Sequence, residues 1–181
     1  MRVIAGQSRG RKLVSTEGKD TRPTTDRVKE SMFNLLAPYV CGANVLDLFA
    51  GSGQLGIEAL SRGAKSAVFV DSSKDAQSCI TENLKNCGFS DKAKLKTTDA
   101  VLYLSGAFER FDIAFLDPPY NRGILQKVLP GLVNFVSKDG KIVCESSIID
   151  ILPQNIGCFT VFKTNRYGKI LITTYKHTDV I

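Results

Sequence analysis

The sequence has one histidine, no tryptophan and no apolar run approaching the ~18 residues that a membrane span needs. His177 lies near the end of the chain and reads as an exposed tail residue, so no Ser–His or Cys–His pair stands beside any motif, which argues against hydrolase chemistry. Five cysteines (Cys41, Cys79, Cys87, Cys144 and Cys158) form an odd set without a C-x-x-C spacing, which disfavours both a disulfide framework and a zinc site. They read as reduced cytosolic thiols that mostly pack. No export signal or membrane anchor is predicted, no metal is expected, and the expected location is cytoplasmic.

What the chain does have is the balance of a soluble folded protein: 181 residues, 43% apolar and 23% charged. That length suits a single domain spanning residues 1–181, with residues 1–38 as a basic extension and 44–181 as a catalytic core. The net charge of +6 is uneven. Arg2, Arg9, Arg11, Lys12, Lys19, Arg22, Arg27 and Lys29 crowd the first 29 residues against Glu17, Asp20 and Asp26. Such an arm attracts a phosphate backbone, because each neutralised phosphate releases counterions. Arg2, Arg9, Arg11, Lys12, Arg22 and Arg27 are the candidate nucleic-acid contacts.

The first twenty-odd residues alternate short apolar pairs with glycine and basic residues, which suits a small hairpin or an extended arm. Val28, Met32, Leu35 and Leu36 then recur at helical spacing, with Thr24, Thr25 or Asp26 as cap and Pro38 as the stop, predicting a helix of about eleven residues. From Asn44 a β-α-β rhythm begins. Strands are predicted at Val45–Phe49, Ala67–Asp71, Ala93–Thr97, Phe111–Leu116 and Lys141–Glu145, with a closing hairpin of Phe159–Lys163 and Ile170–Tyr175. Helices are predicted at about Gln54–Arg62, through Ala76–Leu84 and at about Ile124–Phe135. The pattern implies a mainly parallel sheet covered on both faces, with ligands at the carboxyl ends of its strands.

Gly51-Ser52-Gly53-Gln54-Leu55-Gly56 spells G-x-G-x-x-G between a strand and a helix, and Asp71 follows twenty residues later at a strand end. Alone, this suits any adenosine cofactor, since glycines admit a ligand to the backbone and an acidic residue accepts from ribose hydroxyls. Asp47, four residues before the first glycine, breaks the tie. A carboxylate there would repel a dinucleotide's pyrophosphate and complement the ammonium and sulfonium of S-adenosylmethionine. Asp99, after the third strand, is placed to accept from an adenine amino group and equally to cap a helix. Phe49, Ala50, Ser52, Ser72 and Ala100 complete the expected cofactor contacts.

Asp117-Pro118-Pro119-Tyr120 follows the fourth strand. Its parts match methylation of an amino nitrogen whose lone pair is delocalised into a base ring. The Asp117 carboxylate and the Pro118 carbonyl would hold the amino hydrogens and favour a pyramidal nitrogen, while Pro119 stiffens the loop. Asp117 would also stabilise developing positive charge and take the departing proton. Tyr120 would stack on a base that has left its helix or loop.

Over almost its whole length the sequence resembles the RsmD family of bacterial 16S rRNA guanine-N2 methyltransferases. The resemblance rests on Arg2-Val3-Ile4-Ala5-Gly6, Arg9-Gly10-Arg11-Lys12-Leu13, Arg22-Pro23-Thr24, Asp26-Arg27-Val28-Lys29-Glu30, Leu46-Asp47-Leu48-Phe49-Ala50-Gly51-Ser52-Gly53, Leu55–Ala64, Asp117–Tyr120 and Arg166-Tyr167-Gly168. It implies a class I S-adenosylmethionine-dependent, Rossmann-like α/β fold with seven strands, the last antiparallel. It also implies S-adenosylhomocysteine as product and a guanine of 16S rRNA, position 966 in the family, as target within the 30S subunit or its assembly intermediate. A monomer is expected. The alternative is an N6-adenine or other amino-directed methyltransferase acting on a different nucleic acid or on protein, since any planar amino group suits this loop.

Overall fold

The computed structural model describes residues 1–15, 25–106 and 109–180. Among these residues eight strands form one sheet: β1 (Asn44–Asp47), β2 (Ser66–Asp71), β3 (Ala93–Thr97), β4 (Phe111–Leu116), β5 (Val136–Ser147), β6 (Asn155–Ile156), β7 (Phe159–Tyr167) and β8 (Ile170–His177). Their order is β3-β2-β1-β4-β5-β8-β7-β6. β1 to β5 are parallel, and β8 enters antiparallel beside β5 with Cys144 opposite Thr173. The count is one more than the expected seven because the two-residue β6 pairs with β7 through Asn155 and Ile156, too short a run to carry a periodic signal.

Parallel neighbours need crossovers, and five α-helices among the described residues surround the sheet: α1 (Asp26–Val40), α2 (Gln54–Ser61), α3 (Lys74–Cys87), α4 (Ala100–Gly106) and α5 (Ile124–Leu132). Chain order runs outward from β1 through β2 to β3, then returns to β4 on the other side of β1. With right-handed crossovers, this reversal puts α2 and α3 on one face and α4 and α5 on the other. Strand alternation fits both layers. Val45, Phe69, Ile113, Phe115 and Val143 pack with Phe33, Leu36, Ile57, Leu60 and Ile80. The intervening Leu46, Val68, Val70, Ala114 and Ile142 pack with Leu104, Leu125, Leu129 and Leu132. A strand buried on both faces reads as a continuous apolar run, as Ala67–Val70 of β2 and Ile113–Leu116 of β4 do.

Two local expectations need correction. Pro38 does not stop α1, which runs on to Val40. The proline removes an N–H only in the final turn, at the surface, while Leu36 and Val40 are buried beneath it and hold that turn in place. His177 is not a loose tail residue either. It ends β8, its side chain is 16% exposed, and its ring meets Phe159 edge-on at 5.5 Å.

The N-terminal residues form a hairpin, with Arg2 bridged to Lys12, Val3 N–H donating to the Arg11 carbonyl and Gly10 N–H to the Val3 carbonyl. The hairpin is docked, with Val3 and Leu13 in the core. A buried ion cluster holds it there. The Glu58 carboxylate of α2 accepts from Ile4 N–H at 2.8 Å, Ala5 N–H at 3.0 Å and Arg62 Nε at 2.8 Å. Lys29 Nζ of α1 lies 3.5 Å from the same carboxylate and donates to the Arg2 carbonyl at 2.6 Å. Both side chains are fully buried, and burial lowers the Lys29 pKa against the opposing pull of Glu58. Removing one partner strands the rest without compensation. Glu58→Ala is therefore expected to lower the unfolding free energy by about 3–5 kcal/mol in urea titrations, and wild-type stability would refute the cluster's role.

Candidate active site

The reversal point of strand order, between β1 and β4, opens onto a cavity of about 1000 Å³. Its walls come from the segments after β1, β2, β3 and β4, where an open α/β sheet binds ligands. Asp47, Phe49, Ala50, Gly51, Ser52, Asp71, Ser72, Asp99 and Ala100 all line it, as do Asp117, Pro118, Pro119 and Tyr120. Gly53 is the exception among the expected cofactor residues. It sits at φ +76° as the residue before α2, and an added Cβ would press on Ile80 and Phe69 at 3.2–3.3 Å, so its work is to shape the turn. Gly56 serves close packing, since a Cβ there would fall 2.3 Å from the Phe69 ring of β2.

Four carboxylates line the cavity, and the three expected on the cofactor side, Asp47, Asp71 and Asp99, also support the backbone. Asp47 Oδ2 accepts from Gly56 N–H at 2.9 Å, tying the end of β1 to the first turn of α2. Asp47 is 2% exposed, and burial, reinforced by the charge of Asp71, pushes its pKa up to about 7 against the lowering effect of that hydrogen bond. A cation entering the cavity relieves this carboxylate, whereas an anion raises its cost further. The donor set therefore fits an ammonium-bearing cofactor and opposes a pyrophosphate. Asp71 bridges the loops by accepting from Gly51 N–H and Ser73 N–H, both at 2.9 Å. Asp99 uses Oδ1 to accept from Val101 N–H at 2.8 Å and Leu102 N–H at 3.3 Å at the start of α4, while its exposed side chain borders the cavity.

Pro118 is buried and Pro119 exposed at the corner where β4 ends, so the loop turns between an interior and a solvent-facing ring. Tyr120, expected to stack on a base, has a partner of its own. Its hydroxyl donates to the carboxylate of Glu145, a β5 residue that is 1% exposed. Sequence reading did not pick out Glu145 as a site residue, although an acidic residue closing the run Lys141–Glu145 was the available signal. Asn121, at φ +59°, follows directly, and its N–H donates to Asp150 Oδ1 at 3.1 Å.

The candidate RNA contacts divide. Arg9, Arg11, Lys12 and Arg27 are exposed, and Arg2 is exposed within an ion pair to Asp26 at 2.8 Å. Arg22 lies outside the described residues. Met1 and Ser15, at the ends of the docked hairpin, also line the cavity, so the basic hairpin adjoins it. Lys29, counted with the basic arm, is instead buried against Glu58. Among the described residues no group of three or more His, Cys, Asp or Glu side chains is arranged to hold a metal ion.

A doubly wound sheet with an antiparallel strand beside β5, opening on a mouth whose charge favours a cationic adenosine ligand, belongs to the class I S-adenosylmethionine-dependent methyltransferases. The model of the family described as conserved hypothetical protein 95 matches residues 1–176, and the chain belongs to that family, the RsmD family. It is similar to YlbH of Bacillus subtilis, 41% identical over 97% of this chain and 98% of that protein. It is also similar to Ribosomal RNA small subunit methyltransferase D of Escherichia coli, 34% identical over 97% of this chain and 89% of that one. Among solved structures, yhhF from Escherichia coli matches with a TM-score of 0.88 at 34% identity, covering 98% of this chain and 97% of that one. No helix among the described residues is long and apolar enough to cross a membrane.

Proposed function

We propose that this chain, acting in the cytoplasm as one monomeric domain, methylates the exocyclic N2 of a guanine in 16S rRNA, position 966 in the family. Its substrate is the 30S subunit or an assembly intermediate. The observation that carries the reading is that the glycine loop and the Asp117–Tyr120 corner face one cavity. S-adenosylmethionine, when bound, supplies an activated methyl group on a sulfonium. Asp47 would balance its ammonium, Asp71 would accept from the ribose hydroxyls and Asp99 from the adenine amino group, with Phe49, Ala50, Ser52, Ser72 and Ala100 completing the walls.

The chain's own work lies on the acceptor side. The Asp117 carboxylate and the Pro118 carbonyl hold the two amino hydrogens and turn the nitrogen lone pair out of the ring system. Asp117 then stabilises the positive charge on nitrogen and accepts the proton. Tyr120, braced through its hydroxyl by Glu145, presents its ring to the target base. Pro119 contributes no N–H and keeps the loop short of alternatives.

Labelled methyl transfer to 30S subunits from a strain lacking the modification, followed by digestion to nucleosides, tests the assignment. N2-methylguanosine is the expected product, and N6-methyladenosine as the main labelled nucleoside, or label confined to ribosomal protein, would defeat the substrate assignment. The basic hairpin makes a separate prediction. Charge reversal at Arg9 and Arg11 is expected to weaken RNA binding and flatten its dependence on salt, with the slope of log K against log[salt] falling by roughly one for each phosphate no longer neutralised. An unaltered slope would mean that the hairpin faces away from the RNA.

A further inference from the structure

One side of the cavity mouth is aliphatic. Ile148, Ile149 and Ile151 follow β5 with 42%, 74% and 84% of their surfaces exposed, and the first two line the cavity. Holding three such side chains in water within four residues is unfavourable unless something covers them. The backbone beneath them is firmly tied. Ile148 N–H donates to the Lys169 carbonyl at 3.1 Å, Ile149 N–H to Ser147 Oγ at 3.0 Å, and Gln126 Nε2 to the Ile151 carbonyl at 2.8 Å. Asp150 is the only charged residue from Ser147 to Gln154, and its carboxylate is turned onto Ser147 N–H at 3.1 Å and Asn121 N–H at 3.1 Å. That carboxylate thus links the aliphatic loop to the residue after Tyr120. Two exposed cations flank it, Arg122 beside Asn121 and Lys169 beneath Ile148.

We propose that this rim takes the nucleobases next to the target in the RNA substrate, Ile149 and Ile151 lying against base faces that lose a stacking neighbour when the target leaves. The inference rests on the RNA substrate proposed above. A base that reaches the Asp117–Tyr120 corner has left its stack, and its neighbours then expose apolar faces at the cavity mouth. Apolar side chains cover such faces in other nucleic-acid complexes, and Arg122 and Lys169 suit the adjoining phosphates. Three isoleucines offer on the order of a few hundred Å², enough for one or two bases and well short of the roughly 1,200 Å² of a stable protein interface.

The test is a double variant, Ile149→Ser with Ile151→Ser, compared with Ile149→Leu with Ile151→Leu, on unmodified 30S subunits. The serine pair is expected to raise KM for the subunit at least ~10-fold, with kcat within about twofold, because the aliphatic rim acts on binding rather than on the reacting nitrogen. S-adenosylhomocysteine affinity and Tm should match the wild type, and the leucine pair should restore KM. An unchanged KM in the serine pair would overturn the rim alone, including the case in which sedimentation changes and the patch serves self-association. Absence of transfer to RNA by the wild-type chain would overturn the proposed substrate and the rim with it.

Discussion

An Asp117→Ala variant is expected to bind S-adenosylhomocysteine as the wild type does and to transfer methyl groups at least ~100-fold more slowly, the range that one positioned electrostatic group supplies. The two effects separate because the carboxylates assigned to the cofactor end β1 and β2 or follow β3, whereas Asp117 follows β4 on the other side of the strand-order reversal. Pro118 and Pro119 fix the corner's backbone through their rings, so the alanine side chain should leave the loop in place. Single-turnover transfer with calorimetric titration of S-adenosylhomocysteine reads both quantities. Unchanged turnover would remove Asp117 from the chemistry, and lost cofactor affinity would move it to the donor side.

The second large effect concerns Asp47. Its raised pKa means that the folded protein holds the ionised carboxylate at a cost. The cost is absent below about pH 4, the range of an unfolded aspartate, and grows as pH rises toward about 7. In the unliganded protein this group therefore makes stability fall with rising pH across that window, and Asp47→Asn should flatten the fall. Cofactor binding runs the other way, because a bound ammonium favours the ionised form. The Kd for S-adenosylhomocysteine is expected to fall by up to about tenfold per pH unit below about pH 7 and to level off above it. Asp47→Asn should abolish that pH dependence and weaken binding at pH 8 by at least ~10-fold. A variant with wild-type affinity at pH 8 would contradict the charge argument that selects this cofactor over a dinucleotide.

The parts of the fold that were legible in the sequence are those with a strong period or a strong local constraint. β2 and β4 carry the apolar runs Ala67–Val70 and Ile113–Leu116, α3 ends at Gly88, and the glycine loop forces a strand-to-helix turn. Non-local features were not legible. Pro38 reads as a stop until Leu36 and Val40 are seen buried beneath the last turn. A hairpin is among the readings of the basic arm, but its docking was not legible because Glu58, whose carboxylate gathers Ile4, Ala5 and Lys29, lies more than fifty residues after Ile4 and Ala5. The bracing of Tyr120 was not legible because its partner Glu145 comes from a different strand. In the site, residue types carried the chemistry and the helix-capping role of Asp99, whereas the second role of Asp47 and Asp71 as backbone acceptors required coordinates.

A structure of the protein with S-adenosylhomocysteine bound tests most directly whether one cavity serves both donor and acceptor. The amino-acid end is expected beside Asp47, with the sulfur turned toward the Asp117–Pro118 corner. A methyl group on that sulfur would then lie roughly 3 to 3.5 Å from a nitrogen held by the corner. A sulfur directed away from Asp117, with the corner beyond reach of a methyl group, would contradict the shared cavity.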